Sequence, residues 1–343
     1  MDTVLLLAHT ESDGALGKAA REALGSAKDL AAALGVKLAV GLFGGEVQAA
    51  ADAVAGCGAE RFLGVAGADF AQPRYRTDAA AAEALARASG ATLVLAPGTS
   101  RMARVMAGVT QRLGGRIDTH VTGLAAEGGA PAAQRWFYRQ RIEARVRRGE
   151  RPWVVLLDTG CHPAWEGAAG KAAVEAVALA AGAEARRTEV TGFKAPKSDQ
   201  QTIRPDAKLL FVAGAGWTKK QADGKPHVEE AGKLILGLLA ATQASLGSSK
   251  SLVDQSGEGQ AVLEFMSHLN QIGQTGSTPR HPKGLATCCH GEEPHVVGWR
   301  FVNERRAVNL DPGCGWARGK ADVLYVADAF AVVAKVNELL GKK

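Results

Sequence analysis

Val4-Leu5-Leu6-Leu7-Ala8 is the first of four short apolar runs that alternate with alanine-rich segments of helical pattern in the first half of the chain. Short, uninterrupted apolar runs are typical of strands buried on both faces of a parallel sheet. The alternation predicts strands at residues 4–8, 38–42, 62–65 and 93–96, and helices near 16–34, 47–55, 78–89 and 101–113. It therefore predicts an N-terminal α/β domain, nucleotide-binding-like in architecture, with helices on both sheet faces.

Segments 134–146 and 153–158 are predicted to be β structure. We interpret the arginines from Arg135 to Arg151 as the solvated face of a hairpin rather than as a dedicated anion site. Polar, proline-bearing residues 194–201 have the composition of a linker. Beyond it we predict a strand at 209–213, the turn Gly214-Ala215-Gly216, a helix at about 228–246, a strand at 323–326 and a helix at 329–340.

These patterns divide the chain of 343 residues into an N-terminal α/β domain, a linker and a second α/β domain, at residues 1–195, 196–206 and 207–343. The second domain is predicted to be doubly wound and Rossmann-like. A Gly-rich turn after a strand lets a helix N-terminus meet a phosphate, although Gly-x-Gly alone is weak evidence. We therefore include Gly216 among the candidate ligand residues.

The composition excludes several classes of protein. A net charge of +6 and an aromatic content of 5% do not indicate a nucleic-acid-binding protein. No apolar run approaches the length of about 20 residues that a membrane helix needs, so no direct membrane insertion is expected. Five cysteines argue against a disulfide framework and favour the cytoplasm. Cys288-Cys289-His290 and Cys161-His162 invite a metal interpretation, which the lack of any Cys-x-x-Cys pair disfavours.

Gln271-Ile272-Gly273-Gln274-Thr275-Gly276 is a glycine-punctuated polar loop that no requirement of core packing explains. Glycine lets the backbone approach a flat ligand closely, while the Gln amide and Thr hydroxyl offer hydrogen bonds. Other polar motifs stand in order around this loop: Gly247-Ser248-Ser249-Lys250-Ser251-Leu252-Val253-Asp254, Gly291 to His295, Asn309-Leu310-Asp311-Pro312, Ala321-Asp322 and Val326-Ala327-Asp328.

As an ordered set, these motifs resemble those of electron transfer flavoprotein α subunits. Residues 247–254 are similar to that family's Gly-x-Ser-Arg-x-x-Val-Asp segment, and Ala96-Pro97-Gly98-Thr99 is similar to its Ala-Pro-Ala-Thr. The resemblance implies a heterodimer of α and β subunits, with FAD held mainly by the α C-terminal domain and AMP held by β. It also implies that the N-terminal domain packs on the β subunit.

The resemblance further implies roles for individual residues. Thr275 would bond near flavin N5 and His295 near the pyrimidine carbonyl, where a donor and positive charge favour an anionic reduced flavin. Ser249 and Gln274 would be further polar anchors, and Gly291, Asn309 and Asp328 would hold the pyrophosphate, ribose or adenosine. The complete set of implied FAD contacts is Gly216, Ser249, Lys250, Ile272, Gly273, Gln274, Thr275, His290, Gly291, Glu292, Glu293, Pro294, His295, Asn309, Asp328 and Ala329.

Three departures from the family pattern bear on flavin binding. Lys250 stands where the family usually has Arg. Lysine keeps the positive charge but lacks the planar guanidinium that can make two parallel hydrogen bonds. Gly214-Ala215-Gly216-Trp217 replaces Gly-Gly-Arg-Gly, so its Arg is absent. Glu292 and Glu293 add carboxylates that disfavour a nearby flavin anion unless they point away.

The sequence thus predicts an electron carrier that takes electrons from a flavoprotein dehydrogenase and passes them to a quinone oxidoreductase of the membrane or a similar acceptor. Two alternatives stay open. One is a dehydrogenase that binds NAD at Gly214-Ala215-Gly216, although the third glycine of that fingerprint is missing. The other is an interaction subunit of the same family that has lost its flavin.

Overall fold

The computed structural model describes residues 2–137, 142–179, 185, 187–192, 203–204, 206–254, 262–272, 278, 280–287, 302–313 and 321–341. The chain divides into two compact units, residues 1–194 and 195–343. Each is an α/β structure built on its own sheet, which confirms the predicted fold class. Within the described ranges, every helix is too short or too polar to cross a lipid bilayer.

The N-terminal unit contains nine strands and five α-helices among its described residues. The strands are β1 Thr3–His9, β2 Lys37–Gly44, β3 Arg61–Ala66, β4 Leu93–Pro97, β5 Arg116–Glu127, β6 Ala130–Phe137, β7 Ile142–Val146, β8 Trp153–Leu157 and β9 Val174–Ala176. The helices are α1 Lys18–Leu34, α2 Gln48–Ala53, α3 Ala68–Ala71, α4 Tyr75–Ser89 and α5 Ser100–Leu113.

These strands form one sheet in the order β7-β6-β5-β8-β4-β1-β2-β3-β9. All neighbours are parallel except β5–β6 and β6–β7, which are antiparallel. Both faces are covered: Val4 and Leu6 lie in a core with α1 and α2, whereas Leu5 and Leu7 lie in a second core with α4 and α5. The unbroken apolar runs of the sequence are thus strands buried from both sides.

The C-terminal unit holds a second, five-stranded sheet. Its elements are β10 Leu209–Ala213, α6 Val228–Thr242, β11 Ser245–Ser248, α7 Lys250–Asp254, β12 His281–Thr287, β13 Val302–Asn309, β14 Val323–Val326 and α8 Ala329–Leu340. All its neighbouring strands are parallel, in the order β11-β10-β12-β13-β14. The chain therefore moves first to one side of β10 and then to the other, which is the strand order of a doubly wound sheet.

Two sequence predictions in this unit were wrong in detail. The helix predicted to continue to residue 246 ends at Thr242, because Gln243 adopts a left-handed conformation and Ser245–Ser248 form a strand. The turn at Gly214-Ala215-Gly216 does not open an α-helix: Ala215–Thr218 form a single 3₁₀ turn, and the next α-helix begins at Val228.

Candidate functional site

The carboxyl ends of the five C-terminal strands bring most of the described candidate residues to one edge. Parallel strands end on the same side of a sheet, and doubly wound sheets bind ligands outside that edge where the strand order reverses. Here the reversal lies between β10 and β12. The candidates at or directly after strand ends are Gly216 after β10, Ser249 and Lys250 after β11, Asn309 at the end of β13, and Asp328 and Ala329 after β14.

The remaining candidates, apart from Ile272, lie outside the described residues. They are Gly273, Gln274 and Thr275 of the polar loop, and His290, Gly291, Glu292, Glu293, Pro294 and His295, which follow β12 in the sequence. The Cys288-Cys289 pair lies outside them too. Their roles therefore stay predictions.

The end of β11 contacts the start of the polar loop. Ile272 is completely buried, and its backbone N–H donates to the carbonyl of Ser248 at 3.1 Å. A Cβ atom placed on Gly247 would lie 2.5 Å from Ile272 Cγ2 and 3.2 Å from Leu210 Cδ1. Position 247 therefore has to be glycine for β11 and the loop to pack this closely. The two motifs that the sequence presents 24 residues apart, at positions 247 and 271, are neighbours in space.

Ser249 precedes the short helix α7, whose first residue is Lys250. The Ser249 hydroxyl accepts a hydrogen bond from Leu252 N–H at 3.2 Å, as a helix cap does. Lys250 is half exposed, and its Nζ lies 3.6 Å from an oxygen of Asp254. The other Asp254 oxygen lies 3.6 Å from His268 Nδ1. Part of the positive charge of Lys250 is thus balanced within the chain.

The turn after β10 is held by hydrogen bonds within the protein. Trp217 is completely buried, and its Nε1–H donates to Thr287 Oγ1 at 2.8 Å. That hydroxyl in turn donates to the carbonyl of Val212 at 3.0 Å, while Gln221 Nε2 donates to the carbonyl of Gly216. Trp217 also packs against Phe330, with 4.6 Å between ring centroids. Trp217 therefore ties β10, β12 and α8 together.

Asn309 and Asp328 lie at the other side of the edge. Asn309 is 1% exposed, and its side-chain oxygen accepts from Asp311 N–H at 3.1 Å. Its amide nitrogen is buried and has no hydrogen-bond partner in the described part of the chain. The Asp328 carboxylate accepts from Phe330 N–H at 3.0 Å and caps α8, so one of its oxygens already serves the fold.

Sequence reasoning gave no role to Ser248, the last residue of β11. Its hydroxyl is also buried without a partner among the described residues. The sequence carries no signal for this, because a serine after a glycine is common in turns.

Five described arginines of the segment 135–151 pair with carboxylates. Asp118 is completely buried and accepts from Arg135 at 2.7 Å, from Arg148 at 2.8 Å and from Trp153 Nε1 at 3.0 Å. Burial opposes ionisation of Asp118, but these donors outweigh it and hold its pKa below the usual range. Arg145 and Arg147 share Glu127, and Arg151 pairs with Asp2. The predicted solvated face therefore fits Arg145 and Arg147, which are exposed, and is wrong for Arg135, whose side chain is 17% exposed and pairs with a buried carboxylate.

A metal site is not seen in the described ranges, where no group of three or more His, Cys, Asp or Glu side chains is placed to hold an ion. Cys57 is buried, and burial raises the pKa of its thiol. Cys161 packs against the core of the N-terminal unit.

Comparison with known proteins gives one family. The model of the electron transfer flavoprotein domain matches residues 4–182, just over half of the chain. Among curated proteins, none matches the chain significantly.

Proposed function

The chain belongs to the electron transfer flavoprotein domain family, and we propose that it is the α subunit of a heterodimeric electron transfer flavoprotein. In this proposal the C-terminal unit binds FAD, and the N-terminal unit packs on a β subunit that carries AMP. The assembly takes electrons from a flavoprotein dehydrogenase and delivers them to a quinone oxidoreductase or a similar acceptor.

The buried amide nitrogen of Asn309 is the observation that supports FAD binding most directly. A buried N–H donor without a partner is destabilising by roughly 1–3 kcal/mol, so such groups are rare unless a ligand satisfies them. Asn309 stands at the carboxyl edge, beyond the reversal of strand order, where doubly wound sheets hold nucleotides. Phosphate and ribose oxygens are acceptors that match this donor.

The described residues fit an elongated ligand. Ser249 follows β11, and Asn309 ends β13, three strands away in the sheet. Neighbouring strands lie about 4.8 Å apart, so roughly 14 Å of sheet edge separates these two candidate residues. A ligand that reaches both has to lie along the edge, as an extended dinucleotide can.

The bound flavin supplies the one-electron chemistry, and the protein supplies its position and electrostatics. Gly247 and Ile272 fix where the polar loop leaves the sheet. Lys250 adds a positive charge that Asp254 balances in part. An NAD site at residues 214–216 is less well supported, because the fingerprint places phosphate at the start of an α-helix and a 3₁₀ turn stands there.

The absorbance spectrum of the chain, purified together with its partner subunit, tests the proposal. We expect the two visible bands of a bound flavin, and release of FAD on denaturation. A colourless complex contradicts the proposal and favours the subunit that has lost its flavin. A change in NADH fluorescence on mixing, without flavin bands, favours the dehydrogenase.

Asn309→Asp makes the test specific to the site. The variant keeps the oxygen that accepts from Asp311 but removes the N–H donors and adds a negative charge, so FAD affinity should fall by roughly 10- to 100-fold. Asn337→Asp is the control, since the Asn337 amide donates to the carbonyl of Leu234, between α8 and α6. The control should lose stability but keep its affinity for FAD.

A further inference from the structure

We propose that the α4–α5 face of the N-terminal unit, formed by Tyr75, Arg87, Arg104 and Arg112, docks an acidic surface of a protein that exchanges electrons with the assembly. This role rests on the proposed function and deepens it, because it places the contact with a redox partner on this chain. Two features of the face carry it: an exposed tyrosine for which α5 makes room, and an excess of arginines over carboxylates.

Tyr75 lies in the first turn of α4 and reaches across to α5. Its side chain is 43% exposed, yet a Cβ atom placed on Gly108 would lie 2.1 Å from Tyr75 Oη and 3.4 Å from Cζ. Gly108 lies inside α5, where glycine is destabilising relative to alanine, and its φ is negative, so the helix itself does not require glycine. Glycine at this position therefore costs helix stability and makes room for an exposed tyrosine.

Arginines outnumber carboxylates around this tyrosine. Helices α4 and α5 carry five arginines against two carboxylates and no lysine, a net charge of +3. Each carboxylate is shared by two arginines: Asp78 by Arg101 and Arg104, and Glu83 by Arg87 and Arg112. One carboxylate neutralises only one guanidinium, so both groups keep an excess of positive charge.

The excess charge lies at the surface, next to the tyrosine. The side chains of Arg87, Arg104 and Arg112 are 57%, 43% and 40% exposed. Arg112 Nη1 lies 3.7 Å from the same Cβ position on Gly108 that the Tyr75 hydroxyl approaches. Other exposed positions of the two helices hold small side chains, those of residues 88, 103 and 107, all alanine. A partner's surface can therefore come close to the ring and the guanidinium groups.

The chemistry of the face indicates the kind of partner. Tyrosine and arginine are enriched among the residues that dominate protein–protein binding. A single aromatic ring among charges does not match a permanent subunit interface, which is more apolar. It matches the small, polar and transient contacts of electron-transfer proteins, in which opposite charges speed association. A positive face requires an acidic partner, so the occupant is an acidic redox protein rather than the β subunit.

Photocrosslinking in cells of the source organism identifies the occupant. Tyr75→p-benzoylphenylalanine in the full chain puts a crosslinking ring on the face, and mass spectrometry identifies the product. We expect a flavoprotein dehydrogenase or a quinone oxidoreductase, joined through a segment rich in Asp and Glu. Lys28→p-benzoylphenylalanine is the control, since Lys28 is exposed on α1, on the opposite side of the sheet, and should not give this product. A product with the β subunit, with a second copy of the chain or with a protein that has no redox cofactor overturns the inference, and so does the absence of a product.

Gly108→Ala separates docking from folding. The added methyl group displaces the Tyr75 hydroxyl but raises helix propensity, so the urea midpoint of the assembly should stay the same or rise. Stopped-flow absorbance then measures electron transfer between the flavin-loaded assembly and the redox protein found by crosslinking. The second-order rate constant should fall by roughly 3- to 10-fold in Gly108→Ala. An unchanged rate constant would show that the tyrosine has no part in docking.

Arg104→Gln and Lys28→Gln remove the same charge from opposite sides of the sheet. Arg101 keeps two hydrogen bonds to Asp78 in Arg104→Gln, so this variant should fold. At low salt Arg104→Gln should lower the rate constant by roughly 3- to 10-fold and Lys28→Gln by less than about twofold, and high salt should remove the difference. Equal decreases would mean that only net charge matters, which contradicts a defined docking face. A parent assembly without flavin refutes the proposed function and the inference with it, whereas the other results leave the flavin content untouched.

Discussion

Gly247→Ala is expected to disturb the junction between β11 and the polar loop. The added Cβ would lie 2.5 Å from Ile272 Cγ2 and 3.2 Å from Leu210 Cδ1. Carbon atoms pack best at about 3.5–4.0 Å, so Ile272 would have to move by roughly 1 Å or more. Ile272 is completely buried and cannot turn into solvent. Overpacking of this kind should lower the free energy of unfolding by about 1–3 kcal/mol.

The same displacement should weaken flavin binding, because Ile272 precedes the loop that is predicted to contact the ring. Combining Gly247→Ala with Ile272→Ala separates packing from other effects. Ile272→Ala alone should cost about 2–5 kcal/mol through the cavity it leaves. In the double variant the new methyl group enters that cavity. The loss of unfolding free energy in the double variant should therefore be smaller than the sum of the two single losses by about 1 kcal/mol or more.

Urea denaturation followed by circular dichroism measures the cycle, and FAD titration measures the site. Gly149→Ala is the control, since nothing lies within 4 Å of a Cβ placed there and its φ is negative. A Gly247→Ala protein as stable as the control, or strict additivity in the double variant, would refute the packing argument.

Three further predictions concern charged groups. Lys250→Gln should lower the flavin midpoint potential in a redox titration, because a positive charge near the ring is removed. The decrease should be smaller than for an unpaired lysine, since Asp254 balances part of the charge of Lys250. An unchanged potential would place Lys250 away from the flavin. Asp118→Asn should lower the free energy of unfolding in urea by about 3 kcal/mol, because Arg135 and Arg148 lose the buried carboxylate that balances their charge. A decrease of less than about 1 kcal/mol would contradict this prediction. The Arg151 guanidinium lowers the pKa of Asp2 from 3.8 to about 2. The stability that the ion pair of Asp2 and Arg151 contributes should therefore be complete above about pH 4 and lost as the pH falls towards 2. Asp2→Asn should flatten this part of the curve of stability against pH, and identical acid limbs would contradict the assignment.

Most of the N-terminal strands were predictable because their consecutive residues are apolar, which indicates burial on both faces. A strand covered on both faces needs an apolar side chain at every position, and β1 to β4 have this pattern. A short apolar run also located β10, which is buried, and β14 and α8 lie at their predicted positions although β14 is largely exposed. The polar motifs were also visible in the sequence, and parallel pairing then brings those that follow strands to a common edge.

The sequence missed the elements whose stability comes from partners far along the chain. β5 carries Arg116, Asp118 and His120 among its first residues, and its pairing with β8 and β6 offsets that polarity: Asp118 is buried only because Arg135, Arg148 and Trp153 reach it. β11, β12 and β13 likewise lack long apolar runs and are defined by their neighbours in the sheet.

The sequence by itself determined the α/β class, most strands of the first sheet and the residue types available to a ligand, because each depends on short-range periodicity and local chemistry. Only the tertiary structure decided that Gly247 must leave room for Ile272, that Ser249 serves a helix, and that the Ser248 hydroxyl and the Asn309 amide find no partner in the described part of the chain. Hydrogen-bond satisfaction and close packing are relations between distant segments, and no local pattern of residues records them.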